Sequence, residues 1–404
     1  MNQSNTLDLA RTAFFEGVTH FEAGRFFEAH ASFALALGYA PSRPSVQLNL
    51  GVTLVRLDRF FEAIPVLEQA LLFEKESKDG WAALALAFCE MSQWSGCVQA
   101  CEKIFSLGIE QLSLYLLHAR SLASLGQVDA AVSSYKKALT LDRTCAEAWY
   151  QLANLQREKG DDKTAIVSYN LALENGADAE LVHYMLAAIS KSADVSQPPR
   201  AYVQNLFDQY ANDFEEHLVG QLGYCGHTVL IKQLPSACPD RFASVLDLGC
   251  GTGLCAPLLR PRTLCLTGVD LAPAMIEKAK QTTLYDDLVV SEVHDYLSST
   301  VKQFDLVVAA DVFIYIGELE KLFALLAKRM TEHAWLAFTV ELPTDGNALQ
   351  LMPSLRYAHS VQYVQAVAQR HSFQVASEKQ APIRVHNGLQ MMGQYWYLQY
   401  KASK

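Results

Sequence analysis

The stretch Val245-Leu-Asp-Leu-Gly-Cys-Gly-Thr-Gly253 joins a short apolar run to three glycines at alternate positions. Val245, Leu246 and Leu248 read as a buried strand, and the glycines leave the following turn bare of side chains. Glycine takes positive φ there and lets a ligand approach the main chain. A helix expected over Leu254 to Leu259 would aim its unpaired N–H groups into the same turn. A second apolar run, Leu264 to Val269, ends in Asp270, about 20 residues on, where a carboxylate meets ribose hydroxyls in nucleoside-binding βαβ units. The glycines fall as Gly-x-Gly-x-Gly, not in the Gly-x-Gly-x-x-Gly spacing of dinucleotide sites, and Asp247 stands two residues before the first of them.

That pattern closely resembles motif I of the class I S-adenosylmethionine-dependent methyltransferases. The resemblance implies a cofactor without phosphate, its cationic methionine end lying along Gly249, Gly251 and Gly253. Asp247 suits that cation and would repel a pyrophosphate, while Asp270 and the adjoining Leu271 would meet the ribose. Further strands follow in the order of a doubly wound, Rossmann-like seven-stranded sheet: Leu288 to Ser291, Phe304 to Ala309, Trp335 to Val340, then a closing pair at Phe373 to Ser377 and Tyr395 to Tyr400. After the third strand comes His294-Asp-Tyr-Leu297. By the resemblance Asp295 would bond the adenine amino group, with Tyr296 flanking the base. Ligands sit outside the carboxyl ends of such strands, which turns Asp311, just past the fourth, toward the cleft. The sequence there, Ala310-Asp-Val-Phe313, has neither the Pro-Pro motif of amino-methylating enzymes for nucleic-acid bases nor the Pro-Cys of cytosine-C5 enzymes.

Two flanking segments add to this. Tyr202 to Leu218 carries aromatics at helical spacing and resembles the segment before motif I in bacterial methyltransferases with appended tetratricopeptide repeats. By that resemblance it folds over the cofactor as a lid, with Tyr202 and Tyr210 near the methionine carboxylate. Arg356-Tyr-Ala-His-Ser360 is the acceptor-side candidate. His359 would serve as general base if the acceptor must lose a proton, and His217, Tyr224 and His386 are further candidates.

Residues 10 to 192 are self-similar at a spacing of 34. Small residues recur at Gly17, Gly51, Ala85, Ala119, Ala153 and Ala187, again at Ala29, Ala63, Cys97, Ala131 and Ala165, and again at Ala36, Ala70, Ile104, Ala138 and Ala172. Phe33, Leu67, Cys101, Tyr135 and Tyr169 form a series between the last two, and Gly24, Gly126 and Gly160 fall at turns. This resembles the tetratricopeptide repeat, a helix–turn–helix unit of that period. Five repeats are expected, with residues 180 to 192 as a capping helix. Their concave face would carry Phe14, Phe21, Leu48, Val52, Val55, Arg56, Leu116, Arg120, Tyr150 and Arg157. That groove suits an extended or helical peptide. Of the Lys/Asn/Arg constellation that grips chaperone carboxyl termini, only Asn154 matches.

At 404 residues and a net charge of −10, with no basic stripe, the chain is a poor candidate for binding nucleic acid. It shows no signal peptide and no apolar span of the ~18–20 residues that cross a bilayer. The nine cysteines form no Cys-x-x-Cys pair, and a cytoplasmic protein without a metal is expected. The expected organisation is a tetratricopeptide solenoid over 10–192, a linker over 193–200 containing Pro198 and Pro199, and a class I methyltransferase domain over 201–404. The function expected is S-adenosylmethionine-dependent methylation of an acceptor recruited by the solenoid, a protein or peptide. The rivals are a small-metabolite methyltransferase using the solenoid for docking or dimerisation, and a scaffold whose methyltransferase domain binds cofactor without turnover.

Overall fold

The computed structural model describes residues 3–190, 197–211, 216, 220, 223–344, 346–386 and 389–402. The chain divides into two compact units between Ala177 and Asp178.

The first unit is built of five helix pairs, from Gln3–Glu22 with Phe26–Tyr39 to Ala146–Glu158 with Asp162–Glu174. The spacing of 34 has a packing cause. Ala29, Ala63, Cys97, Ala131 and Ala165 are fully buried, as are Ala36, Ala70, Ile104, Ala138 and Ala172. Gly17 lies under Phe33 and Gly51 under Leu67, and a Cβ added at either glycine would come within 2.6 Å of that neighbour. The third repeat departs most from the pattern, yet it fills the same places with buried Cys97, Cys101 and Ile104.

All five first helices end alike. Gly24, Asp58, Ser92, Gly126 and Gly160 share positive φ, from 55° to 76°. In each case the next residue's N–H donates to the carbonyl five positions back: Arg25 to His20, Arg59 to Leu54, Gln93 to Phe88, Gln127 to Leu122 and Asp161 to Gln156, at 2.8–2.9 Å. This is the Schellman closure that satisfies otherwise orphaned carbonyls. An 800 Å³ cavity in this unit is lined by seven of the ten expected groove residues, Phe21, Leu48, Val52, Val55, Arg56, Leu116 and Arg120. Phe14, Tyr150 and Arg157 are not among its lining, and Asn154 accepts a 2.6 Å hydrogen bond from the Tyr169 hydroxyl.

The helix Ala179–Ser190, expected as the solenoid cap, groups with the second unit. Its Tyr184 hydroxyl donates to the Leu355 carbonyl at 2.7 Å, and its ring packs on Tyr202 and Tyr357. The expected linker lies partly outside the described residues, and a helix begins at Arg200.

Nine strands follow among the described residues: β1 (Phe242–Leu248), β2 (Thr263–Asp270), β3 (Asp287–Val290), β4 (Phe304–Ala309), β5 (Met330–Val340), β6 (Leu349–Leu351), β7 (Tyr357–His359), β8 (Phe373–His386) and β9 (Leu389–Tyr400). Seven form one sheet in the order β3-β2-β1-β4-β5-β9-β8. The first five run parallel, while β9 is antiparallel to β5 and to β8. Strand order reverses beside β1, and the crevice at that switch point is where such sheets bind ligands. The small β6–β7 hairpin, which pairs Leu349 with His359, is an element the sequence did not announce. No helix among the described residues is long and apolar enough to cross a membrane.

Candidate active site

The motif turn is fixed by backbone bonds between β1 and β2. The N–H groups of Gly249 and Cys250 both donate to the Val269 carbonyl, at 2.7 and 2.9 Å. Gly249, Gly251 and Gly253 all have positive φ. A Cβ on Gly249 would lie 2.4 Å from Val312, whereas one on Gly251 would meet no protein atom within 4 Å. At the end of β2, Asp270 accepts the Gly251 N–H at 2.8 Å and the Ala272 N–H at 2.9 Å. Burial raises its pKa, and these N–H groups pull it back toward the ionised form.

A 440 Å³ cavity opens over this turn, within the range of small-molecule sites. Gly249, Gly251, Asp270, Leu271 and Asp311 line it. Val203, Leu206 and Phe207 of the helix Arg200–Tyr210 form an apolar wall, and Asp208 ties that helix down by accepting the Ala274 N–H at 3.0 Å. Three cavity-lining residues, Thr252, His227 and His294, hold buried side-chain atoms without a hydrogen-bond partner: Oγ1, Nδ1 and Nε2. A glycine with open space above it, a carboxylate at the strand end and unpaired polar atoms fit a nucleoside with a polar tail.

Other expected site residues lie elsewhere. Asp247 is buried beside the turn, where it accepts a 2.6 Å hydrogen bond from the Tyr285 hydroxyl. Burial pushes its pKa up to about 7 against the opposing hydrogen bonds from Tyr285 and Cys255. Gly253 faces Thr282 and Tyr285, 3.2 Å from where its Cβ would be. Asp295 leaves 62% of its side chain exposed and pairs with Arg200 at 2.9 Å. Tyr296 is buried and Tyr202 packs on Tyr184, and neither lines the cavity. The side chains of Tyr210 and His386, and all of His217, lie outside the described residues. Tyr224 lines the cavity.

His359 is not placed to act as a base. Its ring is fully buried, pairs with the Gly317 carbonyl through Nε2 at 2.8 Å and stacks on Tyr363. Burial drives its pKa down to about 4. It lies on the buried strand β7, and the cavity lining does not include it.

Sequence reading passed over several lining residues. Glu292 directly follows the end of the third strand region and lines the cavity in place of Asp295. It caps the helix Val293–Ser299 by accepting the N–H groups of His294 and Asp295, and it bonds the His294 ring at 2.9 Å. Its place just past a strand's carboxyl end was a usable signal.

Three charged residues, Asp311, Arg356 and Arg384, also line the cavity. Arg384 bridges Asp311 at 3.2 Å and Glu341 at 2.7 Å, and Arg356 lies 3.5 Å from the same Glu341 oxygen. The Thr339 hydroxyl accepts the Asp311 N–H at 2.8 Å, and Asp311 itself is held at φ 58°. Burial raises the Asp311 pKa while Arg384 and Arg356 lower it. No sequence spacing links positions 311, 341, 356 and 384, which only the sheet brings together.

Residues 226–380 match the family described as methyltransferase domain. Residues 16–80, 119–160 and 146–175 match families of tetratricopeptide repeats. A malonyl-acyl-carrier-protein O-methyltransferase of Anoxybacillus flavithermus is 32% identical over 131 residues, 30% of this chain and 47% of that protein. A magnesium-protoporphyrin O-methyltransferase of Rhodobacter capsulatus is 34% identical over 117 residues, 28% of this chain and 50% of that protein. The chain thus spans about half the length of these curated relatives. The crystal structure of a magnesium protoporphyrin IX methyltransferase from Synechocystis, solved with S-adenosylhomocysteine, is 15% identical with a TM-score of 0.40, covering 50% of this chain and 99% of that one. This chain joins tetratricopeptide repeats to a methyltransferase domain.

Proposed function

We propose that the chain is an S-adenosylmethionine-dependent methyltransferase whose helical repeats recruit a protein- or peptide-borne acceptor. The observation that carries the reading is the Gly251 turn, closed onto Asp270 by a 2.8 Å bond and open on its other side to the cavity. S-adenosylmethionine supplies an electrophilic methyl on a sulfonium. The chain's own residues do the rest. Gly249 and Gly251 admit the ligand to the backbone, and Asp270 is presented to ribose hydroxyls by the two N–H groups that hold it. Glu292 and His294 offer polar edges for the base, and Val203, Leu206 and Phe207 exclude water. Methyl transfer needs mainly in-line placement and desolvation. The partner half of the proposal is supported by the 800 Å³ groove of the first unit, whose lining mixes apolar residues with Arg56, Arg120, Asp79 and Glu147.

A second reading has support too. One relative is named for acting on magnesium protoporphyrin, a small molecule, whereas another is named for an acyl-carrier-protein conjugate, which is protein-borne. Incubating the full chain with radiolabelled S-adenosylmethionine and cell extract, before and after protease treatment of the extract, distinguishes the two. Transfer lost on protease treatment is expected. Transfer that survives it points to a small metabolite, and an absence of S-adenosylhomocysteine binding would overturn the methyltransferase assignment itself.

A further inference from the structure

The first helical repeat lacks a polar outer face. Its second helix, Phe26–Tyr39, turns Ala29, Phe33 and Ala36 inward. On the other side Phe27, Ala31, Ala34, Leu35 and Gly38 are all exposed, Phe27 by 77% and Leu35 by 51%. Glu28 is the only acidic or basic residue of this helix besides His30. A helix that is apolar on every side belongs in an interior. The other repeats supply the control. In the fourth, the equivalent positions hold Asp129, Ser133, Lys136, Lys137 and Thr140, all polar or charged and all exposed. The second repeat keeps part of the apolar face, with Phe61 at the place of Phe27 and equally 77% exposed. Exposed apolar surface gathered on one side of a fold and rimmed by polar residues marks an interaction site.

Gly38 points the same way. Glycine weakens a helix and is kept where a turn or a crowded contact demands it. Gly38 meets neither demand: its φ is not left-handed, and a Cβ built there meets no atom within 4 Å. The stripe thus carries a knob, Phe27, at one end and an open notch, Gly38, at the other, about 16 Å apart along the helix.

Knob and notch are self-complementary. Two copies of the helix laid antiparallel, with a two-fold axis between Ala31 and Ala34, set each Phe27 over the other's Gly38. Small residues then meet at the axis, where the helices can approach to ~8 Å. The ends match in charge as well. At the N-terminal end the exposed Glu22 and Glu28 outnumber Arg25, while between Gly38 and Gln47 only Arg43 is charged. Antiparallel pairing brings the acidic end of one copy to the basic end of the other and sets the helix dipoles in favourable opposition. On the neighbouring helix, Phe60–Leu71, the charges are mixed, with Arg59 bound to Glu62, and they set no orientation. Phe27 and Phe61 alone bring about 300 Å² per copy toward the ~800 Å² of a stable interface.

We propose that the outer face of the first repeat binds the same face of a second copy of this chain, as an antiparallel two-fold dimer. None of the residues lining the 800 Å³ groove belongs to Phe26–Tyr39 or Phe60–Leu71. Pairing therefore leaves that groove open in both copies, and the dimer is bivalent toward its partner.

Sedimentation of the full chain tests this. At ~10 μM the chain should run at twice its own mass, since interfaces of this size reach micromolar or tighter dissociation constants. Phe27→Ser should raise the dissociation constant at least about tenfold, as loss of a central anchor does. Gly38→Leu should do the same, and it separates an outside contact from an inside one, because nothing within the chain resists the new side chain. The matching change in the fourth repeat, Thr140→Leu, should leave the dimer intact. Circular dichroism should show the three variants as helical as the parent. Glu28→Arg should weaken the dimer, and adding Arg43→Glu should restore much of it. A chain monomeric throughout the titration, a dimer indifferent to Gly38→Leu, or a charge swap without recovery would overturn the pairing. A monomer that floats with phosphatidylcholine vesicles through Phe27 would overturn it in favour of a lipid surface.

Discussion

The helical unit uses each structural device five times, and the α/β unit uses each once. Positions 24, 58, 92, 126 and 160 close five helices in the same left-handed conformation, with the same hydrogen bond. In the α/β unit a single turn, one aspartate at the end of β2 and one cluster of four charges each have no copy. Repetition averages over local faults: three repeats carry glycine at the turn, one carries aspartate and one serine, and all five close. A site built once has no such tolerance, so substitutions there should cost far more than substitutions in the repeats.

The largest difference is expected at Gly251. A Cβ there meets no protein atom within 4 Å, so leucine at this position would stand in the space kept for ligand. Its φ of 54° adds about 1–2 kcal/mol of backbone strain for any L side chain, which a folded chain survives. Gly251→Leu should weaken S-adenosylhomocysteine binding by about 100-fold or more, since the ligand can no longer approach the main chain. Calorimetry checks the loss and a thermal melt checks the fold. Retained affinity would mean that the turn is not the binding surface.

Asp247 sharpens the same contrast at intermediate size. Its carboxyl is protonated in the folded chain up to about pH 7, whereas an unfolded aspartate releases its proton near pH ~3.9. Between those values the folded state holds one more proton than the unfolded state. Stability from this group is therefore full below the lower value and declines as pH rises through the window, by up to about 1.4 kcal/mol per pH unit. Asp247→Asn cannot titrate. The stability of the wild-type chain relative to this variant, followed by urea unfolding in the absence of ligand, should fall steadily from pH ~4 to ~7. A difference independent of pH would show that Asp247 is ionised beneath the turn.

What the sequence revealed follows the same division. The repeat was legible because its contacts are local and recur: a small residue every 34 positions is a packing demand made five times. The βαβ turn was legible because Gly249, Gly251 and Asp270 act through neighbouring backbone, and all three line the cavity. Of the charged cluster, Asp311 and the Arg356 segment were legible and both line the cavity, but Glu341 and Arg384 were not, since they reach those residues only once β4, β5, β7 and β8 are in place. His359 illustrates the converse. A histidine between a strand and a helix reads as an acid–base candidate, but the unannounced β7 pairs it with Leu349 and buries it. Asp295 was displaced for a local reason, because Glu292 caps the helix and leaves Asp295 on its outer side with Arg200.

The smallest expected effects test the repeats against one another. Ser92 and Gly126 occupy equivalent turns, at φ 55° and 72°, so each shows what the other would do. A Cβ at Gly126 would meet no atom within 4 Å, which leaves conformation as the main term in a substitution there. Gly126→Ala should therefore destabilise the helical unit by about 1 kcal/mol, the cost of a left-handed residue bearing a Cβ. Ser92→Gly removes that cost but also widens the freedom of the unfolded chain, which offsets about 0.4–1 kcal/mol of the gain. The net effect should be a stabilisation of a few tenths of a kcal/mol, opposite in sign to Gly126→Ala and smaller. Urea unfolding followed by helical circular dichroism reads both. If Ser92→Gly destabilised the unit as much as Gly126→Ala does, the Ser92 side chain would be contributing a contact of its own, and the five turns would no longer be equivalent.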